Sequence, residues 1–398
     1  MLRVLTSNRA VSLQNVASDI VKVATAVGVE AAWYDRPFTS FELRKAGDSA
    51  LVVMAVDPLI ATPWFLLCRD YNRGGVRNLF YATVEGGLNR RFVHPWMREV
   101  RFVANSEYTR SKLAEAGLPV VGVVPHGVDL ELVSRARSSR RLGAEYLAKL
   151  GADPSKHVVV LTVSNAHPRK GLAWYDQVVE EVGRRDGSVR FVVVTEEKGL
   201  GYFRRRPNLV VSADFGKLPR VTVLAAMAAA HVVAVPSLAE GFGLPVLEAM
   251  ALGTPVVHAE LPPLMEFSEG FKVPVKEVHY FDRTEVGPSG IVYEHHLWDP
   301  KEFAEVLLQV VDHYRSRRDA IVDYRVRACE KAVRYSVYAV YTKLLRMMGF
   351  TFGEIPFPAP SVAELDRVPE VPPPAPPVVV EEEEKGREIE ELVPEGVE

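Results

Sequence analysis

Two carboxylates, Glu240 and Glu248, flank a Gly-Phe-Gly-Leu-Pro turn in the run PSLAEGFGLPVLEAMALGTP, residues 236–255. The Val-rich residues before it, 231–235, predict a buried strand. Pro245 suits the first turn of a helix, because its φ is already helical and its missing N–H is not needed there. Gly253 then stops that helix, and Pro255 prevents it from resuming. Strand, glycine-rich turn and helix N-terminus therefore follow in order, with the amides of Gly241, Phe242, Gly243 and Leu244 available to an anion. The helix is apolar on every side except at Glu248, so this carboxylate needs a partner other than solvent. A core arginine would serve. So would the vicinal hydroxyls of a sugar or ribose, from which one carboxylate can accept twice.

A second turn has the opposite charge. The strand expected over residues 158–163 runs into Ser164-Asn165-Ala166-His167-Pro168-Arg169-Lys170-Gly171, and a helix follows from Leu172. Cations at a helix N-terminus oppose its dipole unless an anion neutralises them, and a diphosphate would do so. In the first half of the chain, Ala82-Thr83-Val84-Glu85-Gly86-Gly87 ends a strand on a carboxylate, and its two glycines are expected to let a substrate approach.

The stretch around Glu240 and Glu248 resembles the E-x7-E signature of the retaining glycosyltransferases of family 4, and the resemblance runs clearly from residue 79 to about residue 345. It implies the GT-B architecture and hexosyl transfer from a nucleotide-diphosphate sugar to an acceptor hydroxyl with retention of configuration. Glu240 would then face the donor sugar, and Glu248 the nucleotide ribose. Lys170 and Arg169 would grip the diphosphate with the turn amides. Three positions depart from the family pattern. Asn165 stands where the family has a phosphate-binding Arg, and Glu85 where it has a His near the donor sugar, so Glu85 is expected to act on the sugar or the incoming hydroxyl. The loop after the first strand, Thr6-Ser7-Asn8-Arg9, lacks glycine. Pro125-His126-Gly127-Val128-Asp129 is similar to the P-N-G-V-D element that closes the first domain, which implies a structural role for His126. A catalytically degenerate sugar-nucleotide-binding protein is the alternative these departures raise.

The elements that must carry these turns alternate. Strands are expected over residues 2–5, 51–56, 79–84, 100–104 and 120–124. A second series is expected over 158–163, 189–195, 209–211, 232–235, 256–258 and 291–293, with helical patterns between. Such alternation predicts α/β architecture with two Rossmann-like parallel-sheet domains facing a cleft, the ligands lying at the carboxyl ends of the strands. The expected divisions are 1–130 on the acceptor side, 131–325 on the donor side, 326–349 as a helix returning to the first domain, and 350–398 as a Pro-rich, acidic, disordered tail. The basic run RARSSRR, residues 135–141, reads as a helix face or a solvated connector, with the connector preferred.

A chain of 398 residues with 48% apolar content can bury two such cores, and its net charge of −3 does not favour nucleic acid. The two cysteines read as reduced thiols. With no signal-like or membrane-spanning segment, a cytoplasmic protein is expected, with peripheral membrane contact left open. The abundance of Arg, Glu and Val over Asn, Gln and Cys points to a thermophilic source. G-x-G-x-x-G, G-x4-G-K-[ST] and D-x-D are all missing, which disfavours nicotinamide, P-loop and metal-dependent transferase chemistry. No cofactor or metal is expected. The partners are a nucleotide-diphosphate sugar donor and a glycan, lipid or small-molecule acceptor.

Overall fold

The computed structural model describes residues 1–7, 10–284, 287–353, 369 and 371–378. In the first domain β1 (Leu2–Leu5), β2 (Ala31–Tyr34), β3 (Ser49–Ala55), β4 (Asn78–Thr83), β6 (Phe102–Ala104) and β7 (Val120–Val123) form a parallel sheet in the order β2-β1-β3-β4-β6-β7, while β5 (Gly86–Leu88) turns out of it. In the second domain β8 (Val158–Val163), β9 (Val189–Val194), β10 (Leu209–Ser212), β11 (Val232–Val235), β12 (Val256–Ala259) and β13 (Phe271–Val273) form another, in the order β10-β9-β8-β11-β12-β13. The central strands β3, β4, β8, β9, β11 and β12 are buried along nearly their whole length. Their continuous Val/Leu character reflects helical layers on both faces.

In the second sheet the strand order reverses between β8 and β11, so the turns after these two strands open on one crevice. Those are the two turns whose residues could do chemistry.

The chain crosses between the domains twice, side by side. Val128 donates to the Tyr335 carbonyl, and Val337 donates to the Val128 carbonyl. Gly127 is needed at this crossing because a Cβ would lie 2.7 Å from Val340 Cγ2 and 2.8 Å from Val337 Cα. Beyond it the helix Val337–Met347 buries Val337, Val340, Tyr341, Leu344 and Leu345 in the core of the first domain. Each such side chain contributes roughly 1.5–3 kcal/mol, which bolts the end of the chain onto its beginning.

Three expectations are corrected. Residues 291–293 do not extend the second parallel sheet. They lie within β15 (Gly287–Trp298), which pairs antiparallel with β14 (Val275–Thr284) and with β5 of the first domain in a separate three-stranded sheet. The apolar triplet had the composition of a core strand, but its partners are set by long-range pairing. The run 135–141 is helical rather than a connector, divided between helices Leu130–Ser138 and Arg140–Lys149, and Arg137 reaches the Ala251 carbonyl at 2.7 Å.

The third correction concerns the tail. Residues 371–378 lie against the second domain, with Val371 packed on its core. Arg315 Nε donates to the Pro372 carbonyl at 3.1 Å, Gly187 N to the Ala375 carbonyl at 3.0 Å, and Val378 N to the Gly183 carbonyl at 2.9 Å. A proline-rich segment loses little entropy on docking because it is already extended, and its free carbonyls accept from the domain. Residues 354–368, 370 and 379–398, the rest of the expected disordered tail, lie outside the described residues. Truncation after Gly353 is expected to cost roughly 1 kcal/mol, the scale of a few hydrogen bonds less the ordering entropy. A melting curve identical to the full chain's would show that the docked segment contributes nothing.

Candidate active site

The turn after β8 is shaped by the turn after β11. Leu238 and Ala239 both donate to the Arg169 carbonyl, at 2.8 and 3.2 Å. Gly171 sits in the left-handed region at φ 66°, and a Cβ there would lie 2.1 Å from the Pro236 carbonyl oxygen. The short 3-10 turn Pro168–Lys170 thereby aims both cations at Glu240. Lys170 Nζ meets Glu240 Oε1 at 2.5 Å, Ser237 Oγ donates to the same oxygen at 2.7 Å, and Arg169 Nη1 lies 3.9 Å from Oε2. Burial pushes the Glu240 carboxyl up, but the charges of Lys170 and Arg169 outweigh it and hold the group ionised below the usual carboxylate range.

Glu85 reaches the same cluster from the first domain, at the end of β4, with Oε1 2.5 Å from Arg169 Nη2. Two cations and two carboxylates thus neutralise one another across the cleft. Arg169 is 8% exposed, yet its Nε is buried with no hydrogen-bond partner in the structure.

Gly86, beside Glu85, has a different purpose from the one expected. A Cβ on Gly86 would lie 2.2 Å from the Val292 carbonyl oxygen, so Gly86 admits β15 rather than a substrate. Gly241 has a similar role, since a Cβ there would lie 2.4 Å from Thr83 Cγ2 of the first domain. Gly243, at φ 97°, caps the helix Leu244–Leu252. The Phe242 ring is buried, stacked on Phe267 at 4.9 Å and edge-on to His126 at 5.1 Å, so only its backbone is available to a ligand.

Glu248 has the arginine partner that its apolar helix demanded. Arg220 Nη2 lies 3.2 Å from Glu248 Oε1, and Arg220 Nη1 lies 2.9 Å from both oxygens of Asp19 in the first domain. Burial raises the Glu248 carboxyl against the pull of Arg220, and raises Asp19 to about 6. Asn165, standing where a phosphate-binding Arg was expected, accepts from His167 N at 3.2 Å and shapes its own turn.

Sequence reasoning passed over Asp19, Asn105, Arg220 and the hairpin residues. Asn105 Nδ2 lies 3.1 Å from the Gly241 carbonyl, 3.0 Å from Thr83 Oγ1 and 3.2 Å from His126 Nε2, so it ties the glycine-rich turn to the first domain. The Tyr81 hydroxyl donates to the Val124 carbonyl at 2.8 Å and must accept from His126 Nδ1 at 2.9 Å, which leaves Nε2 as the acceptor. His126 is a buried strut, as its place in the P-x-G-V-D element implied. The signal that could have found Asn105 is its position directly after β6, at a carboxyl end.

Burial lowers five histidines, His126 and His167 to about 3, His258 and His295 to about 4 and His157 in the same direction, with neighbouring cations adding to the shift at all but His126. Between these values and an unfolded pKa near 6.5 the unfolded chain binds more protons, so stability is full above about pH 6.5 and falls as the pH drops toward 4. Asp19, raised to about 6, and Glu248, raised as well, work in the opposite direction, but they are two groups against five. His126→Asn is expected to flatten the slope by up to roughly 1.4 kcal/mol per pH unit. Denaturant titrations at several pH values measure this, and equal slopes for the two proteins would refute it.

Residues 157–313 match the family described as glycosyl transferases group 1. The chain is 26% identical over 351 residues to a glycosyltransferase of Sulfolobus islandicus rod-shaped virus 1, covering 86% of this chain and 98% of the relative. It is 36% identical over 174 residues to the D-inositol 3-phosphate glycosyltransferase of Segniliparus rotundus, and there the chain spans only 37% of the relative's length. Anabaena HepE, solved with UDP and glucose, superposes with TM-score 0.60 at 14% identity over 88% of this chain and all of that one. The UDP-forming trehalose-phosphate synthase of Burkholderia xenovorans does so with TM-score 0.62 at 11% identity, over 87% and 98%. At these identities the superpositions establish the two-domain GT-B fold.

Proposed function

We infer that this chain is a GT-B glycosyltransferase that moves a hexosyl group from a nucleotide-diphosphate sugar to an acceptor hydroxyl, retaining configuration and using no metal ion. The observation that carries the reading is the buried meeting of Arg169, Lys170, Glu240 and Glu85 at the strand-order reversal of the second sheet. A diphosphate entering there would meet the charge of Arg169 and draw Lys170 from Glu240. Glu240 would then accept from the donor sugar's hydroxyls and stabilise positive charge growing at its anomeric carbon.

In the reaction the bond from the anomeric carbon to the diphosphate oxygen breaks, and its electron pair leaves with the diphosphate. Arg169, Lys170 and the amides of residues 241–244 would stabilise that charge, the term on which such catalysis chiefly depends. The acceptor oxygen bonds to the same face of the carbon while its proton passes to the departing diphosphate. Glu85, paired with Arg169, would sit beside the incoming hydroxyl. Glu248 would exchange Arg220 for the ribose hydroxyls, and Lys170 would supply the charge that a metal provides elsewhere.

A second reading, binding without turnover, draws on Asn165 and Glu85 replacing the family's Arg and His. Thermal shifts with UDP, GDP, ADP and their sugars test binding, since stabilisation grows with ligand concentration over Kd. Release of nucleotide from the stabilising sugar nucleotide tests turnover. Turnover unaffected by EDTA is expected. Binding without release would leave only the second reading, and loss of activity in EDTA restored by magnesium or manganese would remove metal independence.

A further inference from the structure

The β14–β15 hairpin carries a row of aromatic rings that begins at the proposed phosphate turn. Side chains alternate along a strand, so Tyr293 and His295 share one face, and their partners on β14 are Phe281 and His279. The His167 and Tyr293 rings are 5.5 Å apart, Tyr293 and His295 6.2 Å, His295 and Phe281 4.8 Å, and Phe281 and His279 6.4 Å. The first four are half-exposed and His279 is exposed. The row starts one residue before the Pro168–Lys170 turn, and Tyr293 is the register partner of Gly86, next to Glu85.

The opposite face of the hairpin is fastened down. Glu294 is held by Lys112 Nζ at 2.5 Å and by the Tyr108 hydroxyl at 2.9 Å, both from the first domain, and His296 N donates to the Leu238 carbonyl at 2.8 Å. The aromatic face therefore belongs to the second domain and is anchored to the first on the rim of the cleft, beside the residues at which the glycosyl group would be transferred.

We propose that this row is the acceptor subsite and that the acceptor is a neutral oligosaccharide lying along the rings with its terminal hydroxyl at Glu85. This deepens the transferase reading and rests on it. A sugar ring offers C–H faces that stack on an aromatic ring and hydroxyl edges that bond to polar tips. Tyrosine and histidine provide both a stacking body and such a tip. The row continues past one ring, so it accommodates successive sugar units rather than a single small molecule. Its rings are partly in water and carry polar atoms, which suits a polyhydroxyl chain and not an alkyl chain. Glu85 and Arg169 neutralise each other at the head of the row, which favours an uncharged acceptor.

The test titrates the full chain with linear gluco-, manno- and galacto-oligosaccharides of about two to six units, followed by intrinsic fluorescence, with and without UDP. One series is expected to bind with affinity that rises with length. Phe281→Ala and His295→Ala should each weaken it about tenfold or more while nucleotide binding and donor hydrolysis stay unchanged. Tyr293→Phe, which keeps the ring and the fold, should retain most of the affinity that Tyr293→Ala loses. No binding by any series, affinity independent of length, or affinity untouched by removal of the rings overturns the proposal. So does self-association that is lost in Phe281→Ala without any sugar binding. Failure of the wild type to bind or turn over any sugar nucleotide would refute the transferase reading instead, and the oligosaccharide titration remains readable separately.

Discussion

Arg169→Ala is expected to lower the rate of glycosyl release or transfer by about 10²–10³-fold, the scale for removing one preorganised donor from developing charge. The side chain does three things at once. It pairs with Glu85 at 2.5 Å, stands 3.9 Å from Glu240, and keeps Nε unused in a buried position. Its loss leaves Glu85 without its cation and Lys170 alone opposite any diphosphate. Arg169→Lys would keep the charge but not the planar fork, so an intermediate rate is expected. The measurement is kcat and KM for the sugar nucleotide that stabilises the protein. A fall confined to kcat places the contact in the transition state, and an equal rise in KM places it in ground-state binding. A rate within a factor of about three of wild type would remove Arg169 from the chemistry.

Arg220→Met is expected to produce the largest loss of stability, about 3–5 kcal/mol, because it strands two buried carboxylates rather than one. Asp19 and Glu248 are 5% and 9% exposed, and Arg220 is the shared cation between them. Without it both carboxyls would move further up and take protons, so the variant's deficit against wild type should shrink as the pH falls from 8 to 5. The sign follows from proton counting. An acid whose folded pKa exceeds its unfolded one binds more protons folded, so acid stabilises the fold. Denaturant midpoints of both proteins at pH 5 and pH 8 measure this. A loss below about 1 kcal/mol at pH 8 would show that the three groups act as an ordinary surface pair. Because Asp19 belongs to the first domain and Glu248 to the second, the same variant should also loosen the closure of one domain on the other.

The carboxylates and cations of the crevice were legible in the sequence because the signals that place them are local. The strand expected over residues 232–235 is observed at Val232–Val235, the helix that Pro245 should open is Leu244–Leu252, and Gly253 ends it at φ 73°. Such boundaries follow from φ limits, missing N–H groups and hydrophobic period, which a short stretch of chain carries in itself. The parallel two-domain architecture followed from the alternation of these units. What the sequence left open was which buried charge met which. Glu248 demanded a partner, yet nothing near it in the chain selects Arg220, and nothing near Arg220 selects Asp19, 201 residues away. The pair Gly86-Gly87 was read as room for a substrate, whereas Gly86 admits β15, which lies some two hundred residues downstream. Local periodicity states that a strand exists and which face it buries. Only the closing of long loops and the packing of two domains decide its neighbour, and here they brought Glu85 to Arg169 and laid an aromatic row beside them.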